Sequence, residues 1–209
     1  MSFIRLQPND LILFQGDSIT DTGRRQAAAP MGRGYAFLLS AWLAARYPHR
    51  NWRFENRGIG GNRVNDLLAR WEEDCVALRP SVVSILIGIN DTWRAFDRGT
   101  PRSTEEFEDL YRSLLSLTRE KATERIILME PFVLHEPPDR AAWRTDLDPK
   151  IHVVRKLARE FQTALIPLDG VFARAATQRP SVEWAADGVH PTPAGHALIA
   201  QEWMKAVGL

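Results

Sequence analysis

The sequence predicts a three-layer α/β/α sandwich built on a five-stranded parallel sheet. Short apolar runs alternate along the chain with longer segments of helical period. Four of the runs are nearly continuous in apolar residues, the pattern of strands covered on both faces. Composition agrees: 44% of the 209 residues are hydrophobic and 25% are charged, as in globular chains. With no repeat or low-complexity linker, one domain over residues 1–209 is expected.

The elements follow in order. Strands are expected at residues 11–14, 52–54, 82–87, 126–129 and 164–168. Helices are expected at 35–46, 62–78, 104–121 and 149–162, with a short piece at 171–176 and a last helix over 193–206. Strand–helix alternation of this kind gives parallel pairing, and analogy with flavodoxin-like folds suggests the order 2-1-3-4-5. Ligands then collect at the carboxyl ends of the strands. The proline-rich stretch 131–148 reads as a long loop after the fourth strand, placed to rim a site or to meet a neighbouring subunit in a homo-oligomer.

Charge and cysteine content exclude several classes. Lys and Arg total 27 and Asp and Glu 26, a net charge of +1, so no overall field draws in nucleic acid. Cys75 is the only cysteine, which rules out an intrachain disulfide; it falls in a helical run and reads as a buried thiol. The first ten residues carry no long apolar stretch, and no segment reaches the length of a membrane span. A cytoplasmic protein is the expectation.

Four short blocks carry candidate chemistry. Gly16-Asp17-Ser18 ends the first strand. A serine behind a glycine at a tight turn is exposed for attack once a base takes its proton, although Asp17 or Ser18 serves equally as a turn cap. Gly58-Ile-Gly-Gly61-Asn62 follows the second strand, where glycines suit either a strand-to-helix turn or a backbone donor. Gly88-Ile-Asn90-Asp91 follows the third. The Asn90 amide can donate to a developing oxyanion, or Asn-Asp can simply make a turn. Asp187-Gly-Val-His190 precedes the last helix; its spacing lets the carboxylate reach Nδ1 of the ring, while a helix-start turn or a metal site are the other readings.

Together, and in this order, the blocks resemble those of the SGNH hydrolases, also called GDSL esterases and lipases. The resemblance implies a serine esterase with Ser18 as nucleophile, His190 as base and Asp187 as its orienting acid. It implies an oxyanion hole from the backbone N–H groups of Ser18 and Gly61 and the side chain of Asn90. No metal and no other cofactor is implied. Gly60 stands where the family usually has serine. Trp93 and Arg94 after the Asn-Asp pair, and the stretch Ala69–Asp74, resemble a subgroup containing acetyl xylan esterases. That suggests a small-molecule acetyl ester as substrate, with Asp17, Trp93 and Trp184 near it. Trp93 could instead be core or sit at a subunit contact, and Trp184 could simply pack there. A general short-chain esterase, lysophospholipase or thioesterase, or a non-catalytic binding module, are the alternatives. Asp21 and Arg33 could order the first loop, or form a surface pair.

Overall fold

The computed structural model describes residues 4–26 and 29–209. Its sheet contains β1 (Leu11–Gly16), β2 (Arg53–Asn56), β3 (Val82–Leu86), β4 (Ile126–Met129) and β5 (Ala164–Ile166). All four pairings are parallel, and the order is β2-β1-β3-β4-β5, as expected. Alternate strand residues feed two cores. Ile12, Phe14, Val82, Leu86, Ile127 and Met129 enter one, which α2 (Tyr35–Arg46) and α9 (Pro193–Ala206) cover. Leu13, Val83, Ile85, Ile126 and Leu128 enter the other, beneath α3 (Val64–Ala69), α4 (Trp71–Asp74) and α6 (Thr104–Lys121). This two-sided burial is why the strands read as unbroken apolar runs.

Four expectations need correction. The helix expected over 62–78 is two short helices, α3 and α4, and a final 3-10 turn over Val76–Leu78. The break falls at Arg70, which leaves helical geometry at φ −109° and ψ 8°. Its guanidinium reaches Asn62 Oδ1 at 2.9 Å, Asp74 Oδ2 at 2.8 Å and the Gly16 carbonyl at 3.4 Å. Tertiary hydrogen bonds thus override helical periodicity. Helix α5 (Ile89–Asp97) was not expected, because its first residues read as a turn. The helix placed at 149–162 starts earlier, as α7 (Arg144–Glu160), behind a 3-10 stretch over Pro138–Trp143. Pro149 lies inside it and removes one intrahelical N–H bond, a cost offset by burial of Leu147, Ile151, Val154 and Leu157. The long loop therefore shrinks to the segment between β4 and Pro138. Strand β2 sits a residue or two later than expected; it is an edge strand, partly exposed, with a weaker apolar signature.

The carboxyl ends of β1, β2 and β3 open into one-turn helix α1 (Ser18–Asp21), the Gly58–Asn62 loop and α5. Helix α8 (Leu168–Ala176) follows β5, and its Phe172 stacks on Phe132 with ring centroids 3.9 Å apart. Among the described residues, no helix is long and apolar enough to cross a membrane.

Candidate active site

Ser18 begins α1 immediately beyond β1. The chain must turn there against β3: a Cβ on Gly16 would lie 2.4 Å from the Leu86 carbonyl and 2.4 Å from Thr20 Oγ1, so only glycine fits. Asp17 caps the turn, Oδ1 accepting the Ile19 N–H at 3.0 Å. Asp17 caps, and Ser18 Oγ lies 2.9 Å from His190 Nε2.

His190 is held from behind. Its Nδ1 lies 2.7 Å from Asp187 Oδ2, while Asp187 Oδ1 accepts the backbone N–H groups of His190 at 2.7 Å and Val189 at 3.0 Å. Burial acts to raise the Asp187 pKa, but these three bonds outweigh it and hold the carboxyl well below the usual range. The Asp187 bond raises His190 above the usual histidine range against the opposing effect of burial, helped by the charges of Asp187 and Asp17. The turn between them needs Gly188, at φ +80°, since a Cβ would lie 2.4 Å from the Glu136 carbonyl and 2.5 Å from that of Leu134. Leu134 N–H in turn donates to the Gly188 carbonyl at 2.8 Å. Both side chains are partly open to solvent, His190 by 45% and Asp187 by 39%.

The glycine loop lies beside the serine. A Cβ on Gly60 would sit 3.8 Å from Ser18 Cβ, an ordinary contact, so the site tolerates glycine or a small side chain there. Asp21 orders this loop by accepting the Gly60 N–H at 3.0 Å. Arg33 does not join it and donates instead to Gln26. Gly61 has φ +82°, and among the described residues neither its N–H nor that of Ser18 has an acceptor. Asn90 is buried in the first turn of α5 and spends one N–H on the Asn62 carbonyl at 3.1 Å, which leaves its second for another acceptor. Asp91 anchors both elements: Oδ2 accepts Val64 N–H at 3.2 Å and Oδ1 accepts Arg102 Nε at 2.7 Å. The chemistry available is clear. A hydroxyl, a base oriented by a carboxylate, and three uncommitted N–H donors lie at the carboxyl end of the sheet, as acyl transfer requires.

Asp17 is fully buried, and burial pushes its carboxyl up to about 7. Its Oδ2 has no hydrogen-bond partner among the described residues. Trp93 stands against His190, ring centroids 5.6 Å apart. Trp184 packs partly buried on the larger core, and its carbonyl accepts Thr192 N–H, so it supports the histidine turn through backbone. His196 accepts the Tyr35 N–H at Nδ1 and is held at about 4 by burial, a structural role. Burial also pushes Cys75 up to about 12.

Sequence reasoning missed Arg140 and Trp143. Trp143 lies 5.2 Å from Trp93 and stacks on Phe96 at 5.5 Å. The Arg140 guanidinium lies 4.1 Å from the Trp143 ring and 5.3 Å from Trp93, and Nε reaches the Asp187 carbonyl at 3.4 Å. The only sequence signal was their place in a proline-rich stretch suspected of rimming a site.

A family model described as GDSL-like lipase/acylhydrolase matches residues 14–198. The chain belongs to the GDSL-like lipase/acylhydrolase family. Like its relatives, this GDSL-family protein is a carboxylic ester hydrolase. An acetylxylan esterase of Geobacillus stearothermophilus is 35% identical to it, over 98% of this chain and 97% of the relative. The crystal structure of that enzyme, Axe2, matches with a TM-score of 0.90 at 35% identity, covering 98% of this chain and 97% of Axe2. A Parabacteroides merdae protein described as GDSL-like matches with a TM-score of 0.93 at 38% identity over 99% of both chains. Catalytic mutants of Axe2 replace a serine, a histidine and an aspartate, and that aspartate and histidine are three residues apart.

Proposed function

We propose that this GDSL-family hydrolase is a serine esterase that removes acetyl groups from sugars or xylo-oligosaccharides through an acyl-enzyme on Ser18. One observation carries the reading: the hydrogen-bonded chain from Ser18 Oγ through the His190 ring to Asp187, with links of 2.9 and 2.7 Å. The Asp-to-His spacing of the Axe2 catalytic mutants supports the same roles here.

Ser18 Oγ attacks the ester carbonyl carbon, and its proton passes to His190 Nε2. The oxyanion takes up hydrogen bonds from the backbone N–H groups of Ser18 and Gly61 and from Asn90 Nδ2. The carbon–oxygen ester bond breaks, and the leaving alcohol oxygen collects the proton from Nε2. Water then adds to the acyl-enzyme, giving a proton to Nε2, and collapse returns that proton to Ser18 Oγ as the acid leaves. Asp187 stays ionised throughout and stabilises the imidazolium. Residues 1–209 act as one domain in this scheme.

The acetyl preference is favoured by the aromatic wall. The Trp93 ring lies 5.6 Å from His190 and is backed by Trp143, and so bulky a wall beside the base would favour a short acyl group. Acetate release from acetylated xylo-oligosaccharides, measured beside 4-nitrophenyl esters of acyl length two to eight, tests this. Activity on the sugar esters with a sharp decline beyond acetyl is expected. Activity that rises with acyl length and ignores the sugar esters would refute the reading.

A further inference from the structure

Beside Gly60 and Gly61 lies an open cleft of about 640 Å³ whose lining contains no apolar side chain. Gly60, Gly61, Arg63, Arg94, Arg98 and Arg102 form most of its wall. It begins beside Ser18: a Cβ added to Gly60 would lie 3.8 Å from Ser18 Cβ, and Arg94 approaches to 3.7 Å of the position a Gly61 Cβ would take.

The cleft is rich in donors and poor in acceptors. Its one lining carboxylate, Asp66, already accepts Arg63 N–H at Oδ2 and Asn65 Nδ2 at Oδ1. Asn65 Oδ1 accepts Arg102, and Asn62 Oδ1 accepts Arg70. Arg102 is spent on Asp91 and Glu106, and Arg94 pairs with Asp97 through one nitrogen only. Among the described residues, Arg63 and Arg98 have no carboxylate within ion-pair distance; Arg63 donates to the Thr100 backbone and hydroxyl. The four arginines face four carboxylates in all, Asp66, Asp91, Asp97 and Glu106, so the cleft attracts an anion through the unpaired guanidinium groups of Arg63 and Arg98 and their free N–H donors, not through net charge. A guanidinium fork matches a carboxylate in two-point geometry.

We propose that this cleft holds the alcohol half of the ester and that the preferred alcohol is a sugar bearing a carboxylate. The assignment rests on the esterase reading above. The acyl group then lies on the Trp93 side and the acidic sugar on the arginine side, with the scissile bond over Ser18.

The test compares kcat/KM for a monoacetylated methyl glucuronoside and the matching methyl glucoside at low ionic strength. The acidic substrate is expected to be better by about threefold to tenfold, the scale of partly exposed charge pairs. That ratio should fall toward one in about 0.5 M salt, and in the Arg63→Gln/Arg98→Gln double variant. A ratio at or below one in the wild type, or a ratio that survives both salt and the double variant, overturns the proposal. Hydrolysis of 4-nitrophenyl acetate, which has no sugar, is measured in parallel. If that activity persists while the ratio is one, only the cleft assignment fails; if it is absent too, the esterase reading fails with it.

Discussion

The two halves of the site are held by different means. The nucleophile half, after β1, β2 and β3, is fixed by close backbone approach and buried polar bonds. Gly16 abuts the Leu86 carbonyl, Asn56 binds the Thr20 and Met31 carbonyls, and Asp91 ties α3 to Arg102. The histidine half is a partly exposed turn strapped to the segment after β4 by the Leu134 N–H on the Gly188 carbonyl and by Arg140 Nε on the Asp187 carbonyl. The difference matches the work each half would do. Oxyanion donors must be in place before charge develops, whereas the base must exchange protons with water.

His190→Ala removes the functional element of the exposed half and should lower kcat by about 10⁴–10⁶, with folding intact because the side chain is partly open. Steady-state kinetics checked against an unchanged circular dichroism spectrum would show it. A far smaller loss would mean that another group supplies the base. Asn90→Ala acts on the nucleophile half and should cost about 10²–10³ in kcat with little change in KM. Equal loss in KM would say that Asn90 binds ground state and transition state alike.

Arg102→Ala leaves Asp91 buried beside α3 without its cation. Denaturant unfolding should show a loss of about 3 kcal/mol, toward the low end for a broken buried pair because burial already pushes Asp91 up to about 6. Arg140→Ala, on the other half, should change stability by about 1 kcal/mol or less, the scale of a cation–aromatic contact. If the two variants cost the same, the contrast between the halves is wrong.

The smallest effect is on pH. His190 must be neutral to accept the serine proton, and its pKa is raised, so activity falls as pH drops through a value above about 6.5. Asp187 is lowered and stays charged across that range. Asp17→Asn removes a negative charge that favours the imidazolium. The acid limb of kcat/KM should therefore move to lower pH, by a fraction of a unit because Asp17 itself titrates at about 7. An unmoved limb would confine Asp17 to capping α1.

The two halves were also unequally legible in the sequence. Leu11–Gly16, Val82–Leu86 and Ile126–Met129 are buried along their whole length, so their strands could be read from apolar runs, while the order of the sheet rested on analogy with flavodoxin-like folds. The Gly16, Gly61 and Gly188 requirements arise from positive φ or from backbone within about 3 Å, and such constraints leave glycines in the sequence. Arg140, Trp143 and the Arg70 helix break left no such mark. Each depends on a side chain meeting a distant element, Arg140 on Trp93 and Arg70 on the Gly16 carbonyl, and neither spacing nor period encodes that meeting. Helix α5 was lost for a related reason. Its start at Gly88, with φ +129°, looks like a turn until tertiary packing continues it.

The central claim is that Ser18 is the nucleophile, and turnover of an acetyl ester by Ser18→Ala tests it most directly. The variant should fold as the wild type does and lose about 10⁴–10⁶ in kcat. Hydrolysis by the folded variant within about tenfold of wild type would contradict the account.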